Sequence, residues 1–272
     1  MMIKELPKVP NTPMAIAELE KMPTRVIISN YITWKIRTIP VRKRTIKFFP
    51  MGIDFNIFIK KYPDIKEFLK KVINGDDLNQ YLSEQVRTHG VVLPSAALKS
   101  KGKDIDSFVL REGLYHFHFA SRDNKNPKGR SNYLIFGDVS KDTFTIVAIV
   151  PHRVFDHGSE DALKFFDIRR MYLERDIPPG QPYMLNPVTC SGHTLEIFSY
   201  AIHCEHTINS MDPQINDNNF ISQLYEDGIL QIPSLEQPKK PKLIWYFHDL
   251  NLGILEKNKG HFFGLKFLRD RL

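Results

Sequence analysis

Apolar residues recur at helical spacing through the first third of the chain. Within residues 25–39, Ile28, Ile32, Ile36 and Ile39 share one stripe and Lys35 and Arg37 lie outside it, which predicts a helix. A shorter helix is predicted over 14–21, inside a Pro-punctuated surface arm spanning 1–24. Residues 42–49, RKRTIKFF, change to alternation between Pro40 and Pro50 and predict a strand. Asp64, just after Pro63, is placed to cap a helix over 65–73 that Gly75 stops. Asp76 or Asp77 then caps a second helix through Val86, with Leu78, Leu82 and Val86 on one stripe. The polar residues 94–108 read as a loop.

The pattern changes over 109–155. Residues 110–120 predict a strand, DNKNPKGR at 123–130 a loop, and 133–139 a second strand. Ser140, Lys141 and Asp142 make a tight turn into a third strand, FTIVAIV at 144–150. That run is nearly all apolar, as expected of a central strand buried on both faces. The three strands predict an antiparallel meander. A helix follows over 159–175, with Ser159 as cap and Glu160 and Asp161 in its first turn. Residues 177–189 hold four prolines and read as a connection and boundary. Beyond them come a helix over 193–210, a helical turn or two over 220–225, and a hairpin pattern over 243–267.

The expected fold class is α+β: N-terminal helices, a central antiparallel β-meander, and a C-terminal helix plus β-hairpin. Two regions are expected, 1–176 and 177–272, with the second either separate or packed with the first as one domain. With 272 residues, 42% of them hydrophobic, the chain can build its core without staples. Its 19 Phe and 10 Tyr make that core aromatic. Two cysteines give no disulfide framework, no leader pattern opens the chain, and no apolar run approaches the roughly 20 residues a membrane helix needs. A cytoplasmic protein with no membrane partner is therefore expected.

Charge adds a direction. The net charge is +7, but it is segregated. Residues 25–61 carry nine Lys/Arg against one Asp, 189–238 carry seven Asp/Glu and no Lys or Arg, and 239–272 are basic again. One basic surface facing a polyanion, RNA above all, is the expectation, with Arg37, Arg42, Lys43, Arg44 and Lys47 tracking the backbone and Lys128 and Arg130 added from the loop.

The candidate chemistry centres on GLYHFHF at 113–119. In a strand, Tyr115, Phe117 and Phe119 share one face and His116 and His118 the other. The aromatic face is the better core surface, which turns the histidines toward solvent or a groove. In an up-down-up meander the first and third strands end at the same edge. His118, Arg122, His152 and Arg153 then converge. Imidazoles can serve as general base and general acid near neutral pH, and arginine holds phosphate oxygens in a planar fork. His116 or His118 with His152 would trade protons, and Arg122 and Arg153 would bind phosphate. Nothing marks a nucleotide cofactor: there is no P-loop and no GxGxxG. Cys190 and His193 with His203 and His206 form a lesser zinc pattern, although Cys204 would point away from His203 and His206 on a helix. Trp245-Tyr-Phe-His-Asp249, opposite His261-Phe-Phe263, reads either as core or as a base-stacking surface.

GLYHFHF, then SNYLIFGDV, then FTIVAIVPHRVF resembles the strand order of RelE-type bacterial endoribonuclease toxins, over about residues 109–158. The resemblance implies metal-independent RNA cleavage, a toxin or phage-defence role, and an antitoxin partner. Those toxins are far shorter than this chain, and the loop at 123–130 departs from their pattern. The His-x-His strand is also similar to a group of uncharacterised bacterial proteins. A non-catalytic module binding nucleic acid or protein stays open beside the enzyme reading.

Overall fold

The computed structural model describes residues 5–9, 11–50, 55–93, 107–119, 132–156 and 158–268. In chain order the elements are β1 (Lys8–Val9), α1 (Pro13–Glu20), α2 (Thr24–Ile36), β2 (Thr45–Phe48), α3 (Phe55–Lys61), α4 (Pro63–Asn74), α5 (Glu84–Thr88) and β3 (Val91–Val92). There follow α6 (Ser107–Glu112), β4 (Leu114–His118), β5 (Tyr133–Val139), β6 (Thr143–Pro151) and α7 (Glu160–Glu174). The chain then forms α8 (Leu195–Met211), α9 (Asn218–Gln231), β7 (Leu243–His248), β8 (Asn251–Glu256) and β9 (Phe262–Lys266). The protein is mixed α+β.

The main sheet has strand order β2-β6-β5-β4. β4, β5 and β6 form the expected antiparallel meander, but β2 joins β6 in parallel, so the sheet is mixed. The sequence marked 42–49 as a strand without showing its neighbour, because parallel pairing is a long-range event with no local turn signal. β6 is central and buried on both faces. A bulge opposite Phe136 and Gly137 makes Val147 the extra residue, so Phe144 and Ile146 face one cluster before it and Ile149 faces that same cluster after it. Ala148 and Val150 turn to the other face, against Leu134, Phe136 and Phe165.

Three local readings need correction. Residues 110–112 belong to α6 rather than to the strand. Gly113, with φ +74°, ends that helix by donating its N–H to the Val109 carbonyl at 2.9 Å. Asp64 sits in the first turn of α4, behind Pro63, and Tyr62 holds the cap position. The stretch 76–86 is a 3₁₀ turn at Asn79–Tyr81 followed by the short α5, yet Leu78, Leu82 and Val86 are all buried.

α2 lies at the centre. Ile28 and Ile32 are fully buried, and Ser29, Asn30 and Thr33 are buried beside them, so the helix is enclosed on more than its Ile stripe. α8 packs along it. Glu205 of α8 accepts from the Arg25 backbone N–H and from its guanidinium, both at 3.0 Å. Thr33 Oγ1 and His193 Nδ1 lie 2.8 Å apart. One apolar cluster runs from Leu6 through α2, α4 and β4 to Ile197, Tyr200, Cys204, Phe247, Leu252 and Leu268, so the core is continuous across the proline-rich connection. The Tyr200 hydroxyl, 3.0 and 2.9 Å from the Leu250 and Lys266 carbonyls, accepts from the Leu252 N–H and ties α8 to the β7-β8-β9 sheet. Burial pushes the neighbouring Cys204 thiol up to about 12, which makes it a packing group rather than a nucleophile. Among the described residues no helix is long and apolar enough to cross a membrane.

The Arg25 backbone N–H, with the guanidinium beside it, holds the Glu205 carboxyl below its ordinary value near 4.5. A depressed folded pKa gives stability that is present above the unfolded value and lost as pH falls through the folded one. Urea unfolding as a function of pH is expected to show the native chain losing this contribution below about pH 4.5. Glu205→Gln flattens that part of the profile. Parallel profiles for the two proteins would refute the assignment.

Candidate functional site

Strand alternation places Tyr115, Phe117 and Phe119 in the main core, where Phe68 and Phe144 meet Phe117 at ring-centroid distances of 5.3 and 5.2 Å. The Tyr115 hydroxyl donates to the Ile36 carbonyl at 2.6 Å and fixes β4 to the end of α2. The opposite face is not open along its length, contrary to the expectation from the sequence. α7 covers it, with Phe165 on Phe136 at 4.1 Å and Tyr172 donating to Asp138 Oδ2 at 2.6 Å. His116 is therefore only 8% exposed, between Phe136 and Phe155 at 5.9 and 5.6 Å.

His118 differs because it ends the strand. It pairs with Leu134, whose other neighbour is Val150, and the chain leaves β6 two residues later at His152. The His152 N–H donates to the Asn132 carbonyl at 2.8 Å, which sets the 3₁₀ turn His152–Phe155 across the sheet edge. The His118 and His152 rings then lie 5.7 Å apart, with His116 6.2 Å behind His118 and Phe155 5.5 Å from His152. His118 is half-buried and His152 exposed. Two imidazoles from strands separated by β5 therefore meet at one edge.

Arg153 is exposed and pairs with Asp161 at 3.0 Å. An exposed pair contributes about 0–1 kcal/mol, so a phosphate can displace it. Arg122, Lys128 and Arg130 lie outside the described residues. Arg42, Lys43 and Lys47 are exposed.

Arg37 and Arg44 do not belong to a nucleic-acid surface. Arg37 is 3% exposed and donates to the Thr33 and His89 carbonyls, the latter at 2.8 Å. Arg44 is 5% exposed and donates to the Ser140, Pro40 and Arg42 carbonyls. Both guanidiniums are spent on backbone carbonyls of their own fold. The zinc pattern is also corrected. His193 is buried against Thr33, Cys190 is exposed, and among the described residues no three His, Cys, Asp or Glu side chains gather as metal ligands. In the C-terminal sheet, Trp245 donates to Asp212 at 2.7 Å and packs on the core, while Tyr246 and His248 lie beside Phe262 at 6.2 and 5.3 Å.

The structure adds what the sequence did not show. A cleft of about 480 Å³ opens between α5 and the end of β4. Leu82, Glu84, Gln85, Thr88, His89 and His118 line it. α2 holds its far wall: Trp34 Nε1 donates to the Val86 carbonyl at 3.0 Å and Arg37 to that of His89. No local motif marks Gln85 or His89, since only tertiary packing brings α5 to His118. Comparison with known family models, curated proteins and solved structures finds no match to this chain.

Arg37→Ala is expected to cost about 1.5–3 kcal/mol in urea unfolding, because a buried charged donor and its carbonyl partners are lost together. Arg42→Ala is expected to stay within about 0.5 kcal/mol. Equal, small effects at both positions would contradict the clamp role of Arg37.

Proposed function

We propose that this protein is an endoribonuclease that cleaves RNA by imidazole acid-base chemistry without a metal ion. The observation that carries the reading is the approach of His118 and His152 to 5.7 Å at the common edge of β4 and β6, one ring in a cleft and the other in water. In the reaction one imidazole takes the ribose 2′-OH proton and O2′ attacks phosphorus. The P–O5′ bond breaks, and the other, protonated imidazole supplies the proton to the departing 5′ oxygen. The products are a 2′,3′-cyclic phosphate and a 5′-hydroxyl. An imidazole can act as general base in one protonation state and as general acid in the other. Arg153 stabilises the phosphorane charge, a role the sequence also suggests for Arg122, which lies outside the described residues.

Supporting features lie around the pair. The order β4-β5-β6 followed by His152-Arg153 agrees with the RelE-type resemblance, from which a toxin or phage-defence role, a cytoplasmic setting and an antitoxin partner follow as parts of this proposal. Arg42, Lys43 and Lys47 offer exposed charge for the RNA backbone. Lys47 pairs with Thr145, which places it roughly 20 Å along β6 from His152. The second reading, a non-catalytic nucleic-acid- or protein-binding module, draws on the burial of His116 and the pairing of Arg153 with Asp161.

In EDTA, the native protein is expected to cleave a labelled RNA, with His118→Ala and His152→Ala each slowing the reaction by about 10²–10⁴-fold while RNA affinity stays unchanged. Absence of cleavage by the native protein, or equal rates in all three proteins, would overturn the enzyme reading. RNA binding retained in that case supports the binding module.

A further inference from the structure

We infer that the outer face of the C-terminal sheet, β7-β8-β9, is a stacking surface for single-stranded RNA. The choice of RNA rests on the nuclease reading, whereas the surface itself rests on the placement of rings and charge. Leu243, Trp245 and Phe247 alternate inward along β7, and Phe263 of β9 meets Tyr225 of α9 at 5.1 Å. The alternate positions, Tyr246 and His248 on β7 and Phe262 on β9, therefore point outward. Phe262 lies 6.2 Å from Tyr246 and 5.3 Å from His248.

Two glycines make room for the rings. Gly253 and Gly264 are cross-strand partners, and Gly264 falls between the inward Phe263 and Leu265. A Cβ at Gly253 would stand 2.6 Å from Phe262 Cζ, and one at Gly264 would stand 2.8 Å from Phe267 Cζ. No side chain fits at either distance, so both rings lie directly over glycine backbone. Phe267 does so while 69% exposed. A ring resting on the sheet with its remaining surface in water is a platform on which any base can stack, because every base has a π-face.

Charge selects the occupant. The last ladder pair of β7 and β8 is Leu243 with Glu256, and one step beyond it the Lys257 N–H donates to the Lys242 carbonyl at 3.0 Å. Leu243 and Glu256 face inward, so Lys242 and Lys257 continue the outer face, and both are exposed. The buried Glu256 carboxylate fixes this end, accepting from the Lys242, Asn258 and Lys259 N–H groups at 3.0, 3.0 and 2.6 Å. Lys242 stands roughly 13 Å along β7 from Tyr246. Over residues 239–272 the chain carries eight Lys/Arg against three Asp/Glu. Rings in the middle of the face and lysines at its end match a strand that has bases to stack and phosphates to neutralise.

The test is binding of a fluorescent single strand of about 12 nucleotides to the full chain, followed by anisotropy. The strand carries 2′-O-methyl groups throughout, which leave no 2′-hydroxyl to attack, so binding is read apart from cleavage. The single strand is expected to bind about tenfold or more tighter than the same strand in a duplex, whose bases are already stacked. Phe267→Leu, at a position already in water, weakens single-strand binding about fivefold or more and leaves duplex binding unchanged, while Phe267→Trp retains the affinity. Lys242→Glu together with Lys257→Glu weakens binding and lowers the slope of log affinity against log salt by about one. No binding of the single strand, binding of the duplex as tightly as the single strand, or unchanged binding by Phe267→Leu overturns the inference. So does a dimer of the native protein in sedimentation that Phe267→Leu dissolves, since the face then belongs to a second copy. Ring-dependent binding without cleavage of ordinary RNA would leave the surface standing without the nuclease. Cleavage without ring-dependent binding would leave the nuclease standing without this surface.

Discussion

The enclosure of α2 is the constraint on which the remaining structure depends. A helix buried over most of its surface gains by placing its polar groups on defined partners, because an unpaired buried donor or acceptor costs about 1–3 kcal/mol, a cost α2 bears at the Ser29 hydroxyl, unpaired among the described residues. α2 solves this by reaching outward in several directions. Its start is bonded to Glu205 of α8, Thr33 to His193, Trp34 and Arg37 to the backbone around α5, and its final carbonyl to the hydroxyl of Tyr115 in β4. Together these bonds link α2 to α8, to α5 and to β4, so it acts as the common reference for helices and sheet.

Two of those links set the candidate site. Tyr115 positions β4, and β4 positions His118 by alternation. Trp34 and Arg37 position α5, and α5 carries Gln85 toward the same cleft. On the sheet's other side α7 is fixed by Tyr172 on Asp138, which closes the histidine face as far as His116 and leaves His118 at the open end. The exposed His152 enters from the end of β6. These elements thus bring the His118 and His152 rings to 5.7 Å, with His152 exposed to solvent.

Much of this was legible in the sequence, and the limits have physical causes. Local signals located the Ile stripe of α2, the Ser159 cap of α7, the apolar run of β6 and the Gly75 stop of α4, whose φ of +80° few other residues tolerate. Alternation assigned Tyr115 and Phe117 to the core. It did not show that the opposite face would be covered by α7, since covering depends on packing of distant segments. Charge runs were the least informative guide. Arg37 and Arg44 sit within a basic segment yet are buried donors to carbonyls, because charge in sequence says nothing about which side of the chain faces water. The pairing of β2 with β6 and the meeting of α5 with His118 are likewise tertiary events with no local pattern.

The central claim is that the histidine pair moves protons in a reaction that uses the ribose 2′-hydroxyl. Mass spectrometry of the fragments from a short RNA incubated with the protein in EDTA tests it most directly, alongside the same oligonucleotide made with deoxyribose. The account predicts 2′,3′-cyclic phosphate and 5′-hydroxyl ends from the RNA, and no fragments from the deoxyribose strand. Fragments ending in 5′-phosphate and 3′-hydroxyl, or cleavage of both strands alike, would contradict it.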